Sequence, residues 1–306
     1  VAYRVGVRLG LNPVRRIQAN IPEGVFFSAN IPNNPVQLAA PQQWFDGRSY
    51  FGWYRTSDTS IPNWHENPFT GRAVKQPKRP WWLISDFDEE TGDIKMIWEA
   101  SRFDWVLTFA QHALNGKLEA LSRLNMWLSD WVQFNRPYQG PNWKCGQEAS
   151  IRVMHLAMSA VLLGQHRQTA MPLQALIKAH LQRIAPTIQY AIAQNNNHGT
   201  SEASALFIGG SWLYSLGDDD GENWYHLGRK WLENRATLLI EEDGSFSQYS
   251  MNYHRVMLDT YSMVEYWRRS LELPAFSQKL YRQLDAAALW LYQMTQPETG
   301  DAPNLG

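Results

Sequence analysis

The sequence predicts an all-α protein, built of antiparallel helix pairs behind an irregular N-terminal segment. Three observations carry this. From residue 94 onward one pattern recurs about eight times: a helix-length periodic run closed by a short Gly, Pro or Asn break. No strands recur between those runs, which places the chain among helix-on-helix architectures. A chain of 306 residues with 44% hydrophobic content can bury a large core, which excludes wholesale disorder.

Taken in order, residues 1 to about 92 lack helical periodicity. They are rich in Pro, Asn, Gly and aromatic residues, as in IPEGVFFSANIPNNP and FDGRSYFGWYRTSDTSIPNWHENPF. Short strands are expected near 24–27 and 49–55, with ordered loop elsewhere. In IKMIWEASRFDWVLTFAQHAL, Ile97, Phe103, Leu107 and Ala110 fall near helical spacing, and Gly116 ends the run. Helices are then expected at about 117–135, 146–164, 171–194, 200–216, 222–240, 250–271 and 276–295. Their breaks fall at Pro137 to Pro141, Gly164, Asn195 to Gly199, Gly217 to Gly221 and Asp243–Gly244. The expected organisation is an irregular segment 1–92 packed on a helical domain 93–297, with 298–306 opening a linker. No internal repeat marks a solenoid. The helices carry many Trp residues, among them Trp105, Trp127, Trp131, Trp212 and Trp267. Most are expected in the core, with the remainder free to stack on sugar rings.

Composition narrows the function. Lys+Arg is 28 and Asp+Glu 29, so net charge does not mark a nucleic-acid binder. A polyanion would bind through a local patch. The single Cys145 excludes an internal disulfide and any CxxC metal site. No run approaches the ~18 apolar residues of a membrane-spanning helix. The opening segment carries Arg4, Arg8, Arg15 and Arg16 without an apolar core, so it is not an intact signal peptide. The closing TGDAPNLG reads as linker, and more chain is expected after Gly306. P-loop, GxGxxG, HExxH and GxSxG motifs are absent, and the eight histidines form no i,i+4 pair. Neither metal nor cofactor is expected. Asp218, Asp219 and Asp220 do not match a calcium loop and read as a turn.

Four local features suggest chemistry. Between Gln194 and Glu202 lie Asn195, Asn196, Asn197 and His198, poor residues for a helix interior. They read either as a cluster of neutral donors aimed at a carboxylate or as plain caps, with Thr200 or Ser201 capping the next helix. In QYSMNYHR, Tyr253 precedes His254 and Arg255. Forming phenolate at pH 7 costs roughly 4 kcal/mol from an ordinary Tyr, and neighbouring cations would offset part of it. The alternative is packing at a helix start. Glu99 and Arg102 stand at i,i+3 beside Trp98, as in a surface ion pair. Glu148 and Arg152 stand at i,i+4 after Trp143, open to the same reading.

In chain order, DIKMIWEASRF, NWKCGQEASIRV, NNNHGTSEA and DGSFSQYSMNYHR resemble motifs of the heparinase II/III-like polysaccharide lyases, over residues 86 to 306. The resemblance implies an (α/α) toroid, an incomplete helical barrel, followed in the full protein by a β-sandwich domain of the same polypeptide. It implies β-elimination on a uronate-containing acidic polysaccharide. Asn197 and His198 then neutralise the substrate carboxylate, and Tyr253 protonates the leaving oxygen and, in some members, also acts as base. Substrate-binding roles fall to Trp98, Glu99, Arg102, Trp143, Glu148, Arg152, Asn196, Glu202, Gln248, His254 and Arg255. Many members have an acid where Gln248 stands, which puts substrate preference in doubt more than reaction type. Export to the periplasm or cell surface is the family habit. Two other readings stay open: an inverting glycoside hydrolase using two of Glu99, Glu148 and Glu202, and a glycan-binding protein without chemistry.

Overall fold

The computed structural model describes residues 19–32 and 39–303, together with 6, 9 and 11. The reading of Arg4, Arg8, Arg15 and Arg16 and the last three residues of the linker fall outside them. The chain divides into two compact units, Val1–Arg183 and Ile184–Gly306.

In the first unit two small hairpins precede the helices. β1 (Ser49–Tyr50) pairs antiparallel with β2 (Tyr54–Arg55), and β3 (Phe87–Asp88) with β4 (Gly92–Asp93). The strand expected at 24–27 does not form. The N–H groups of Phe26 and Phe27 instead both donate to Asn125 Oδ1, at 2.8 and 2.9 Å. One side chain thus satisfies the two donors that a strand partner would have taken. The helices are α1 (Lys95–Trp98), α2 (Asp104–Leu114), α3 (Leu118–Phe134), α4 (Gly146–Leu162) and α5 (Met171–Ile184).

The run expected from residue 94 is broken at Phe103, which takes a left-handed φ of 70°. That conformation costs a non-Gly residue of order 1–2 kcal/mol. The fully buried Phe103 ring packs 5.2 Å from Trp105 and 4.9 Å from Trp131. Its burial contributes about 1.5–3 kcal/mol, enough to offset the strain. Trp64, Trp105, Trp127 and Phe109 continue this ring cluster.

The second unit holds α6 (Ile188–Ile192), α7 (Asn197–Ser215), α8 (Asp220–Leu239), α9 (Met251–Ser270) and α10 (Gln278–Met294). The helix expected over 171–194 is two helices, because a 3₁₀ turn at Ala185–Thr187 carries Pro186. Proline lacks the N–H that a continuous helix needs and clashes with the preceding turn. α7 and α8 pack backbone to backbone. A Cβ on Gly210 would meet Tyr225 N at 2.4 Å, and one on Gly228 would meet Phe207 N at 2.3 Å. Only a residue without a side chain permits that approach. Asp218 and Asp219 lie in the turn between the two helices and Asp220 opens α8, with Asp218 Oδ1 accepting from Asp220 N–H. Among the described residues, no helix is long and apolar enough to cross a membrane, and no cluster of three His, Cys, Asp or Glu could hold a metal.

Candidate active site

The candidate residues fall into two groups, one in each unit. In the first unit Arg102 gathers two carboxylates. Its Nη1 donates to Glu99 Oε2 at 2.6 Å. Its Nε and Nη2 form a two-pronged pair with Glu148 at 2.9 and 3.0 Å. Glu99 and Glu148 are buried, so this is not the surface pair that the i,i+3 spacing suggests. Burial works against charge on Arg102, but Glu148 and Glu99 overcome it and hold the guanidinium above its ordinary value. Burial pushes the Glu99 carboxyl up, against the pull of Arg102 and of the Phe51 N–H. That N–H donates to Glu99 Oε1 at 2.6 Å. Both Glu99 oxygens therefore accept hydrogen bonds.

The i,i+4 pairing expected of Glu148 and Arg152 is replaced by other partners. Arg152 is fully buried and donates to Asn142 O at 2.7 Å, Ser101 O at 3.4 Å and His180 Nε2 at 2.8 Å. His180 donates its Nδ1–H to Leu176 O at 2.7 Å, which leaves Nε2 as an acceptor. Burial and the adjacent Arg152 hold His180 well below its ordinary value, so its ring is neutral. Arg152 is thus a core residue that ties α4 to α5 and to the loop before it.

Trp143 is likewise fully buried, with its indole N–H on Asn135 O at 2.9 Å. Trp98 is buried with its N–H on Pro141 O at 2.9 Å. Neither ring is placed to stack on a sugar. A separate cleft among Val74, Arg79, Leu83, Asp88, Gly92 and Ile97 includes none of the candidate residues.

In the second unit two helix starts come together. α7 begins three residues earlier than expected, so Asn197 and His198 form its first turn. The cap is Asn196, not Thr200 or Ser201: its Oδ1 accepts the His198 N–H at 3.0 Å. α9 is capped by Ser250, whose Oγ faces the Tyr253 N–H at 3.4 Å. Gln248 joins the two starts, its Oε1 accepting the Asn197 N–H at 2.8 Å. An amide oxygen here does the bonding that a carboxylate would do, without its charge. The residue before each cap is left-handed, Asn195 with φ 49° and Tyr249 with φ 47°. Asn tolerates that region; a Tyr there is an outlier of the kind that gathers at functional sites.

Asn196 and His198 are half-buried, and Asn197 is nearly covered. Tyr253 is 43% exposed on the first turn of α9. His254 faces inward. Its Nε2–H donates to Ala287 O at 2.9 Å and its ring stacks on Trp290 at 4.7 Å. Burial lowers it, so it is neutral and supplies no cation to Tyr253. Arg255 is exposed, and Glu202 is buried one turn into α7.

One residue that sequence reasoning missed organises this turn. Arg235, buried on α8, donates from Nη1 to Asn195 Oδ1 at 2.9 Å and Ile192 O at 3.1 Å. Its signal was available: it shares the apolar face of α8 with Leu232, Ala236 and Leu239.

The class of fold follows from comparison with solved structures. No family model matches the chain, and no curated protein matches it. The fold is that of the heparinase III-type helical toroid. A heparinase III crystal structure superimposes at a TM-score of 0.59 with 14% identity, covering 96% of this chain and 45% of that one. A second heparinase III structure, with methylated lysines, gives 0.55 at 13% identity, with 97% and 47% covered. The heparan sulfate lyase HepC from Pedobacter heparinus gives 0.54 at 18%, with 90% and 41% covered. The chain therefore spans less than half the length of each of these.

Proposed function

We propose that this chain is the helical part of a polysaccharide lyase that cleaves a uronate-containing acidic glycan by β-elimination. The observation that carries the reading is the pairing of two helix starts through Gln248. It sets a turn of amide and imidazole groups beside the start that bears the half-open Tyr253. The likeness to heparinase III and heparan sulfate lyase structures supports it at the level of fold.

The chemistry has three demands. The proton at C5 of a uronate is not acidic while the adjacent carboxylate is ionised, so that charge must be neutralised. Asn197 and His198 serve here, with Asn196 at the rim. The N-terminus of α7 adds its partial positive charge. A base then removes the C5 proton, the C4–O bond breaks, and a C4–C5 double bond forms. An acid returns a proton to the departing oxygen. Tyr253 takes the acid role, and in its deprotonated form it takes the base role. Arg102, Glu99 and Glu148 brace the first unit, and His254 positions the start of α9 from beneath.

The inverting-hydrolase reading is disfavoured. It needs one carboxyl group free to donate a proton and another free to activate water. Glu99 and Glu148 are both engaged with Arg102. Export to the periplasm or cell surface and closure by a following β-sandwich domain complete the proposal.

The test uses the full-length protein, wild type and Tyr253→Phe, on a panel of uronate polysaccharides. Ultraviolet-absorbing unsaturated ends on one glycan, absent from the variant, are the expected result. New reducing ends without unsaturation overturn it.

A further inference from the structure

The β1–β2 hairpin turns through Phe51 and Gly52, with φ of 55° and 74°, and closes by a Trp53 N–H bond to Tyr50 O at 3.2 Å. A bulky aromatic residue in the left-handed region is strained. Glu99 holds it there by accepting the Phe51 N–H, so a carboxylate of the Arg102 group pins this turn.

The consequence is visible in the rings. Phe51 lies 5.6 Å from Phe69 at 14° between planes, and Phe69 lies 5.6 Å from Trp53 at 21°. Tyr54 braces Phe69 at 4.9 Å. Three near-parallel rings thus run outward to Trp53, which is 69% exposed, while Phe69 is 42% exposed. One face of Trp53 rests on Phe69 and Tyr54 meets it edge-on at 6.0 Å, while most of its surface meets water. A single exposed apolar residue needs no explanation; a strained turn holding a stacked row open to solvent does.

We propose that Trp53 and Phe69 form a stacking subsite for a pyranose ring of an anionic glycan. This rests on the lyase reading above. Ring size and charge argue for that occupant. Two exposed rings offer a few hundred Å², well short of the ~800 Å² per partner of a stable protein interface. A flat aromatic face matches the C–H face of a sugar. Arg72 follows Phe69 by three residues, is exposed, and has no side-chain partner among the described residues. It is a cation available to a carboxylate or sulfate. The nearby acids are engaged, Asp58 with Arg48 and Glu66 with Asn63.

The experiment is affinity electrophoresis of the full-length protein in gels cast with each uronate polysaccharide of the panel, and with neutral dextran as control. Trp53→Ala should weaken retardation about tenfold, and Trp53→Phe should keep most of it. Arg72→Ala should weaken binding to acidic glycans alone. On a glycan that is cleaved, the loss should fall on KM rather than on kcat. Binding by Trp53→Ala equal to wild type overturns the subsite, as does a wild type that binds no glycan. Trp53-dependent binding without elimination sinks the lyase reading and leaves the subsite standing. Elimination with an unchanged KM in Trp53→Ala does the reverse.

Discussion

The two groups of candidate residues handle polarity in opposite ways. In the first unit, charged groups are largely withdrawn from water and held by fixed partners. Arg102 is held by Glu99 and Glu148, and Arg152 by two carbonyls and a neutral histidine. In the second, amide, imidazole and phenol groups sit on two helix starts with part of their surface open, as at Asn196, His198 and Tyr253. A buried ion pair is costly to break and poorly free to meet a ligand. A neutral donor on an open first turn loses little by waiting in water. The difference teaches that charged residues in a motif can mark its scaffold; the lyase proposal assigns the chemistry to its amides, imidazole and phenol.

The comparison can be broken by substitution. Tyr253→Phe should lower elimination by about 10²–10⁴-fold, the usual worth of a general acid or base. Its thermal midpoint should stay at the wild-type value, because the hydroxyl is on an exposed ring. Rate retained with stability lost would reverse the assignment.

Arg102→Met should do the opposite. It leaves two buried carboxylates unpaired and should cost about 3 kcal/mol in urea unfolding, the lower end for a broken buried pair. In that variant the Glu99 carboxyl, which burial already pushes up, has a folded value above its unfolded one. Its stability contribution is therefore fuller at low pH and lost as pH rises, so the defect should shrink on acidification to about pH 5. A defect independent of pH would show that the loss is one of packing.

Gln248→Ala removes the acceptor of the Asn197 N–H and should cost about 1 kcal/mol. It should also reduce elimination, because the two starts are no longer tied. Gln248→Glu should restore the stability, since a carboxylate accepts the same bond and favours a helix N-terminus.

A further effect concerns pH in the wild type. Burial holds His65, His180 and His254 below their ordinary values. The unfolded chain takes up protons near pH 6.5 that the folded chain refuses. The unfolded state then binds more protons, so stability should fall as pH drops through about 6.5 toward the folded values. Thermal midpoints at about pH 7.5 and 5.5 measure it, and an equal midpoint at both would remove the histidines from the account.

Much of the helical order was legible because a 3.6-residue period and Gly, Pro and Asn breaks are local signals. The pairs α7–α8 and α9–α10 could be read almost to their ends. Local pattern misplaced the start of α7, since Asn196 makes a better cap than Thr200 once Gln248 takes the next N–H. The break at Phe103 was hidden for the same reason: only its ring partners, Trp105 and Trp131, offset the strained backbone. Trp143 and Arg152 carried motif signals that spacing alone could not separate from packing. Trp53 sat outside the helices, where no period drew notice to it.

By itself, the sequence determined most of the helical stretches and that Tyr253 stands near the start of one, while Asn195 to Gly199 read only as the break between two helices. These follow from backbone propensity and capping, which act over a few residues. Tertiary structure alone decided which charges are buried, that Glu148 pairs with Arg102 and not with Arg152, that Arg235 ties down the Asn195 turn, and that Trp53 faces water. Those depend on which distant groups share a neighbourhood, since burial and pairing energies are set by surroundings that no single stretch of chain contains.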